Sequence, residues 1–485
     1  MKKNIFSIIA SAGALPILAV SMNFKNYNYS KDDSNLTPED IRLGIKLKIS
    51  KILKTSKNNI EILKEKEIEL YNGEKLLLLQ FLNKGYAVFS LETFELIEYN
   101  PLTNLTDEQF EKINGYIPLK SLVVKEKNLF KSVSSNFTQN EELSDNLPTE
   151  LLDKENKQIL RKENTSKLRK NIKISKLNDK FQDRTNNATL YDPSEPVTRL
   201  NADYEVDYSW WFKSNQDFFG YADLTNNYEE FRHAFGDTRD YSKNKEDEQG
   251  ICEYISLSML IQYYQLFKNS NWLSEAQFNE YANVFDVDQN HNHILSSGFN
   301  VYNKYAQNNY NFLKKNNLPI YPIFSPKLSY QLFLNDGTIN IHNASHYKTS
   351  LLKTVKNNNL KTGWNTTYLF NRPWEIIYKN NPVILGGYIS AYTNGVEDIW
   401  HSVLAYGKWY DKGDTDLSNL YLVHYGFGSE NMRYSQVAVS ARYLRHIGYE
   451  FHVWDKTKNP TLKKYFNYNG KMVDASELPK HISFN

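Results

Sequence analysis

The chain is poor in the residues on which several kinds of chemistry depend. Its 485 residues include one cysteine, Cys252. A lone thiol forms no internal disulfide and builds no cysteine-rich zinc site; it is either a small buried hydrophobe or a nucleophile. No charge of one sign dominates. With 58 basic and 56 acidic side chains the net charge is +2, too weak a field to gather nucleic acid or an anionic membrane surface. There is no glycine-rich dinucleotide or phosphate loop, no HExxH, no GxSxG and no repeat at a solenoid period. Asp286-Val287-Asp288-Gln289-Asn290 begins like a calcium loop. However, His291 stands where the turn needs glycine, and Ser297 where the last carboxylate ligand belongs, so that site is rejected. His291 and His293 have no evident third ligand. No metal or organic cofactor is expected.

Long apolar runs are also missing, with one exception. Lys2 and Lys3 precede an apolar stretch from Ile5 to Met22, broken by Gly13 and Pro16, and Ala19-Val20-Ser21 offers a cleavage site. Residues 1–22 therefore read as a secretory signal or, uncut, as an N-terminal membrane anchor. The protein is expected to be secreted or held on the extracellular face of the cell membrane.

What is abundant is aromatic: 35 Tyr, 26 Phe and 8 Trp, ample for a real core. Thr37 before Pro38, Glu39 and Asp40 has the form of a helix start, with Thr37 as N-cap and acids in the first turn. From Ile60 to Tyr99 the pattern is strand-like, with turns at Asn72-Gly73, at Asn83-Lys84-Gly85 and at Glu92-Thr93. Residues 37–125 are thus read as a small α+β domain. Residues 131–195 are rich in Lys, Asn, Glu and Ser and poor in aromatics, a composition that buries too little apolar surface to offset its ordering entropy. They are expected to be a polar flexible linker with transient helix near 151–177. Aromatics return at Trp210-Trp211-Phe212, a cluster expected in the core, and 201–485 should be the main domain.

Cys252 follows a polar turn, Asp247-Glu248-Gln249-Gly250, and opens a segment to Tyr264 that is apolar nearly all round. That is the pattern of a central buried helix with the cysteine in its first turn. The unpaired amides and positive dipole end there favour a thiolate and can hold a developing oxyanion. Packing alone would suit a cysteine equally well in mid-helix. The matching base is His401, at the start of a strand that follows Pro382-Val383-Ile384-Leu385 and a loop. A third strand, Leu420 to His424, comes next. Three adjacent antiparallel strands would bring His401 and His424 to one end of a sheet.

The order of these segments resembles the papain-like cysteine peptidases. The likeness is to the streptopain-like and bacteriocin-leader-processing branches and to the cysteine peptidases ascribed to wall-less bacteria. It spans roughly 208–451, and its cysteine-to-histidine separation of 149 residues falls within the family's usual range of about 130–150. The resemblance implies an α+β fold, with the Cys252 helix against an antiparallel sheet. It implies Cys252 as nucleophile and His401 as general base, acting on a polypeptide substrate. His424 stands where an Asn orients the imidazole in streptopain-like enzymes, and Tyr425 where a Trp shields the site. Gln249 is the candidate side-chain donor to the oxyanion, although the family places its Gln further upstream. The resemblance further implies that 37–125 is a prodomain inhibiting in cis. Two rivals remain open: a catalytically inactive surface binding protein on this fold, which the His424 departure favours, and an acyl transferase on the same scaffold.

Overall fold

The computed structural model describes residues 36–70, 73–117, 121–126, 129–132, 141–142, 154–182, 200–214, 252–283, 285–287, 293–295, 313–324, 327–336, 344–365, 373–389, 399–410, 419–426, 435–440 and 448–482. The N-terminal apolar stretch, Gln249 and His291 lie outside them.

The first helix, α1, covers Pro38–Ile52, with the expected cap: Thr37 and Asp40 form a reciprocal capping box. Ile41, Ile45, Ile49 and Ile52 are buried, so the seemingly alternating apolar residues resolve into a helical stripe. Four strands follow, β1 (Ile62–Leu70), β2 (Lys75–Phe81), β3 (Tyr86–Ser90) and β4 (Leu96–Asn100), joined as antiparallel neighbours in chain order. Helix α2 (Asp107–Lys112) leads to β5 (Gly115–Ile117), which runs parallel to β1. Strands β6 (Ser121–Glu126), β7 (Leu129–Ser132) and β8 (Glu141–Glu142) continue that edge.

The stretch expected to be a flexible linker contains α3, a single helix over Lys154–Gln182. Its composition is polar, but Asn164, Leu168, Ile172 and Ser175 are buried at helical spacing. Gly44 makes room for this contact. A Cβ there would lie 2.0 Å from Leu168 Cδ1, which only the absence of a side chain on α1 permits. Ion pairs Lys176–Asp40 (2.9 Å) and Lys157–Glu74 (3.1 Å) flank the seam. A compositional argument missed the stripe because two apolar side chains suffice when a partner helix is waiting.

In the second half, β9 (Tyr204–Glu205) and α4 (Ser209–Ser214) precede α5 (Cys252–Phe267), then α6 (Glu275–Tyr281), α7 (Lys327–Asp336) and α8 (Ala344–Thr354). Strand β10 (Leu360–Asn365), α9 (Pro373–Tyr378), β11 (Val383–Ile389), β12 (Ile399–Lys408), β13 (Leu420–His424), β14 (Val437–Ser440) and β15 (Gly448–Asp455) complete the order used here. Strands β11, β12 and β13 are consecutive and antiparallel, as expected. Helix α5 packs on β11 and β12, with α7 and α8 beside it. Trp210, Trp211 and Phe212 are fully buried, and Phe212 stacks between Tyr263 of α5 and Tyr406 of β12 at 5.2 and 4.9 Å.

The far end of α5 is tied down by Asp455. Its carboxylate accepts from Asn269 (2.9 Å), the Trp272 indole (2.8 Å) and Asn357 (2.9 Å), and the Thr457 amide caps the other oxygen (2.9 Å).

The fold is therefore α+β, with helices against a large, mostly antiparallel sheet. The two halves do not form separate sheets. Strand β14 pairs with β4, Ala438 opposite Tyr99 and Val439 opposite Glu98, so fifteen described strands form one sheet. Among the described residues no helix is long and apolar enough to cross a membrane.

Two outcomes follow from these joints. A specific-protease site introduced near residue 190 and then cut should leave the two pieces eluting together at neutral pH; separation without denaturant would deny the β4–β14 joint. Burial works against the Asp455 charge, but bonds from Thr457, Trp272 and Asn269 outweigh it and hold the pKa below the ordinary value. A depressed carboxylate stabilises the fold above its unfolded pKa of about 3.9, and that stability is lost as pH falls through the folded value. Asp455→Asn should accordingly lower the urea midpoint at pH 7 and make it fall less steeply below about pH 4, measured by urea melts.

Candidate active site

Cys252 is the first residue of α5, and the helix that follows is buried on every side from Tyr254 to Phe267. A buried helix must satisfy its polar side chains internally, and this one uses them as anchors. Tyr263 donates to Asp207 O at 2.8 Å, Gln262 to the Ser258 hydroxyl at 2.9 Å, and Gln265 to Ser270 O at 2.9 Å. Glu253, buried in the first turn, sits where the positive end of the dipole favours a negative charge. The same field acts at position 252.

Two contacts fix this first turn over the sheet. The Ser256 hydroxyl donates to Ser402 O at 3.0 Å, and the Ser402 hydroxyl lies 2.9 Å from the Tyr347 hydroxyl of α8. Ser402 directly follows His401, whose backbone pairs with Gly387 across β11–β12. Ser256 is four residues after Cys252, one turn along the same helix face. The second contact is at Gly426, just past β13. It has φ of +73°, and a Cβ there would lie 2.9 Å from Ile255 Cγ2. The hydrogen bond thus joins a residue one helical turn after Cys252 to the residue that follows His401, which is the third residue of β12 and not, as expected, its first.

His424 is buried at the end of β13, opposite Leu404, which lies three residues after His401 on β12. Its Nδ1 accepts from the Gly426 amide at 3.0 Å. This bond closes the turn at Gly426.

The described residues hold no group of three or more His, Cys, Asp or Glu able to bind a metal ion. Scanned against protein-family models the chain matches none, and searches of curated proteins and of solved structures likewise find no match.

Beside the predicted residues the structure brings in Tyr425, which sequence reasoning named only as a replacement for a shielding Trp. Tyr425 is buried, and its hydroxyl donates to Glu98 of β4 at 2.6 Å. The glutamate lies 327 residues away in the chain. A charged residue between Ile97 and Tyr99 in the middle of a strand was the available signal.

Gly426→Ala would force a β-carbon into the left-handed region and against Ile255. It should cost about 1–3 kcal/mol in urea unfolding. A substitution without effect would mean that α5 does not rest on this turn.

Proposed function

We propose that this chain is a cysteine peptidase with a papain-like catalytic unit in residues 201–485, exported by its N-terminal signal. The observation that carries the reading is the Ser256–Ser402 hydrogen bond, which holds the helix opened by Cys252 against β12 at the residue after His401. In this reading His401 takes the proton from the Cys252 thiol, and the thiolate attacks the scissile carbonyl carbon. The oxyanion is held by amides at the start of α5, with Gln249 as side-chain donor. Collapse breaks the C–N bond, and the imidazolium gives its proton to the leaving amine. Water, deprotonated by His401, then attacks the acyl-thioester; the carboxylic acid leaves and the thiol is restored.

A second reading is favoured by His424. With a histidine where the family uses an asparagine, a binding protein that keeps the scaffold without turnover is the natural rival. The resemblance also implies that residues 37–125 cover the site until they are cut away; the β4–β14 joint suggests another relation, taken up below.

Alkylation of the full chain by iodoacetamide between about pH 4 and 9 separates the two readings, because there is only one thiol to label. A thiolate–imidazole pair should label rapidly at least about two pH units below an ordinary thiol pKa near 8.5, and His401→Ala should slow the low-pH rate about tenfold or more. Labelling that follows an ordinary thiol and ignores His401→Ala would leave Cys252 a packed side chain and give the binding protein the better claim.

A further inference from the structure

The segment His424-Tyr425-Gly426 is held from two sides. From above, Ile255 and Met259 of α5 approach Gly426. From the N-terminal unit comes Glu98. This carboxylate is fully buried and accepts from three phenols: Tyr86 at 2.5 Å, Tyr116 at 2.9 Å and Tyr425 at 2.6 Å. Two of the three belong to the same unit as Glu98; Tyr425 alone crosses from the other half. The backbones are joined at the same place, with Glu98 opposite Val439 of β14, and β14 paired in turn with β13. A turn whose amide is already closed on His424 Nδ1 has few remaining degrees of freedom, and the Tyr425–Glu98 bond removes the swing of the strand end.

We infer that Glu98 is a positioning residue for the site. Acting through Tyr425, it holds the turn on which the first turn of the Cys252 helix rests, so that the N-terminal unit is an integral arm of the catalytic scaffold. This rests on the peptidase reading above and deepens it. Glu98 itself touches no substrate. Its charge is suited to the task because a carboxylate accepts several hydroxyls at once, and the bonds from Tyr86 and Tyr425 are short, as charge-assisted bonds are. The arrangement assigns the N-terminal unit a role opposite to that of a removable cover: separated from it, β13 and β14 lose both their backbone partner and the carboxylate.

The test compares two conservative variants in the full chain. Tyr425→Phe removes the one phenol that crosses between the halves; Tyr86→Phe removes one that does not. Both delete a single hydroxyl from Glu98, so both should lower the urea midpoint to a similar degree. Only Tyr425→Phe should change the pH profile of Cys252 alkylation, slowing the rate near pH 6 by about tenfold or more, as expected when a remote misplacement of the order of 1 Å disturbs reacting groups. Should Tyr425→Phe fail to fold, Glu98→Gln, which keeps the volume and one acceptor oxygen, takes its place against Tyr86→Phe. Identical alkylation profiles for wild type and Tyr425→Phe, with only the midpoint lowered, would reduce Glu98 to a structural residue and leave the peptidase reading intact. Equal slowing by both variants would likewise overturn the positioning role. A wild-type profile that already follows an ordinary thiol would remove the peptidase reading, and the positioning role with it.

Discussion

A buried carboxylate is tolerated only when donors replace the water it has lost, and Glu98 gathers three phenols for that purpose. Much of the architecture is organised by that requirement. Tyr86, Tyr116 and Tyr425 come from β3, β5 and the end of β13, so one side chain registers three parts of the sheet against one another. The neighbouring backbone ladder, β4 to β14, follows the same line. Above it, the Cys252 helix is seated by Ser256 and Ile255 and tethered at its far end through the Asp455 cluster. Helix, sheet and N-terminal unit are thus joined by direct hydrogen bonds.

Much of this was legible locally. Thr37 with Asp40 gave the start of α1, and the turn residues at Gly73 and Asn83-Lys84-Gly85 gave the first hairpins, because capping and left-handed turns are written in a few adjacent residues. The all-round apolar run after Cys252 gave a buried helix for the same reason. Composition misled over 154–182: the lysines and glutamates dominate any average, while Leu168 and Ile172 carry the packing. The pairing of Val439 with Glu98 joins residues too far apart in the chain for any local signal, and no periodicity announces it.

The candidate site shows the same division. Cys252 at a helix start was readable from pattern, and α5 begins there; His401, expected at a strand start, is the third residue of β12, one residue before the Ser402 carbonyl that accepts from Ser256 of α5. The hydrogen bond from the Gly426 amide to His424 Nδ1 was not readable, since it depends on the left-handed turn that follows β13.

The β4–β14 joint also bears on solubility. Among the described residues the main run of fourteen strands ends at β10 and β8, both remote from the joint, with the short β9 paired to β12 off that run. Divided at the joint, the sheet would gain two further edges, along Leu96–Asn100 and Val437–Ser440, whose side chains are fully or nearly fully buried. Such bare, apolar edges are templates for pairing with any other chain in reach. By closing them on each other, the protein hides from its neighbours the two strands best suited to start an aggregate.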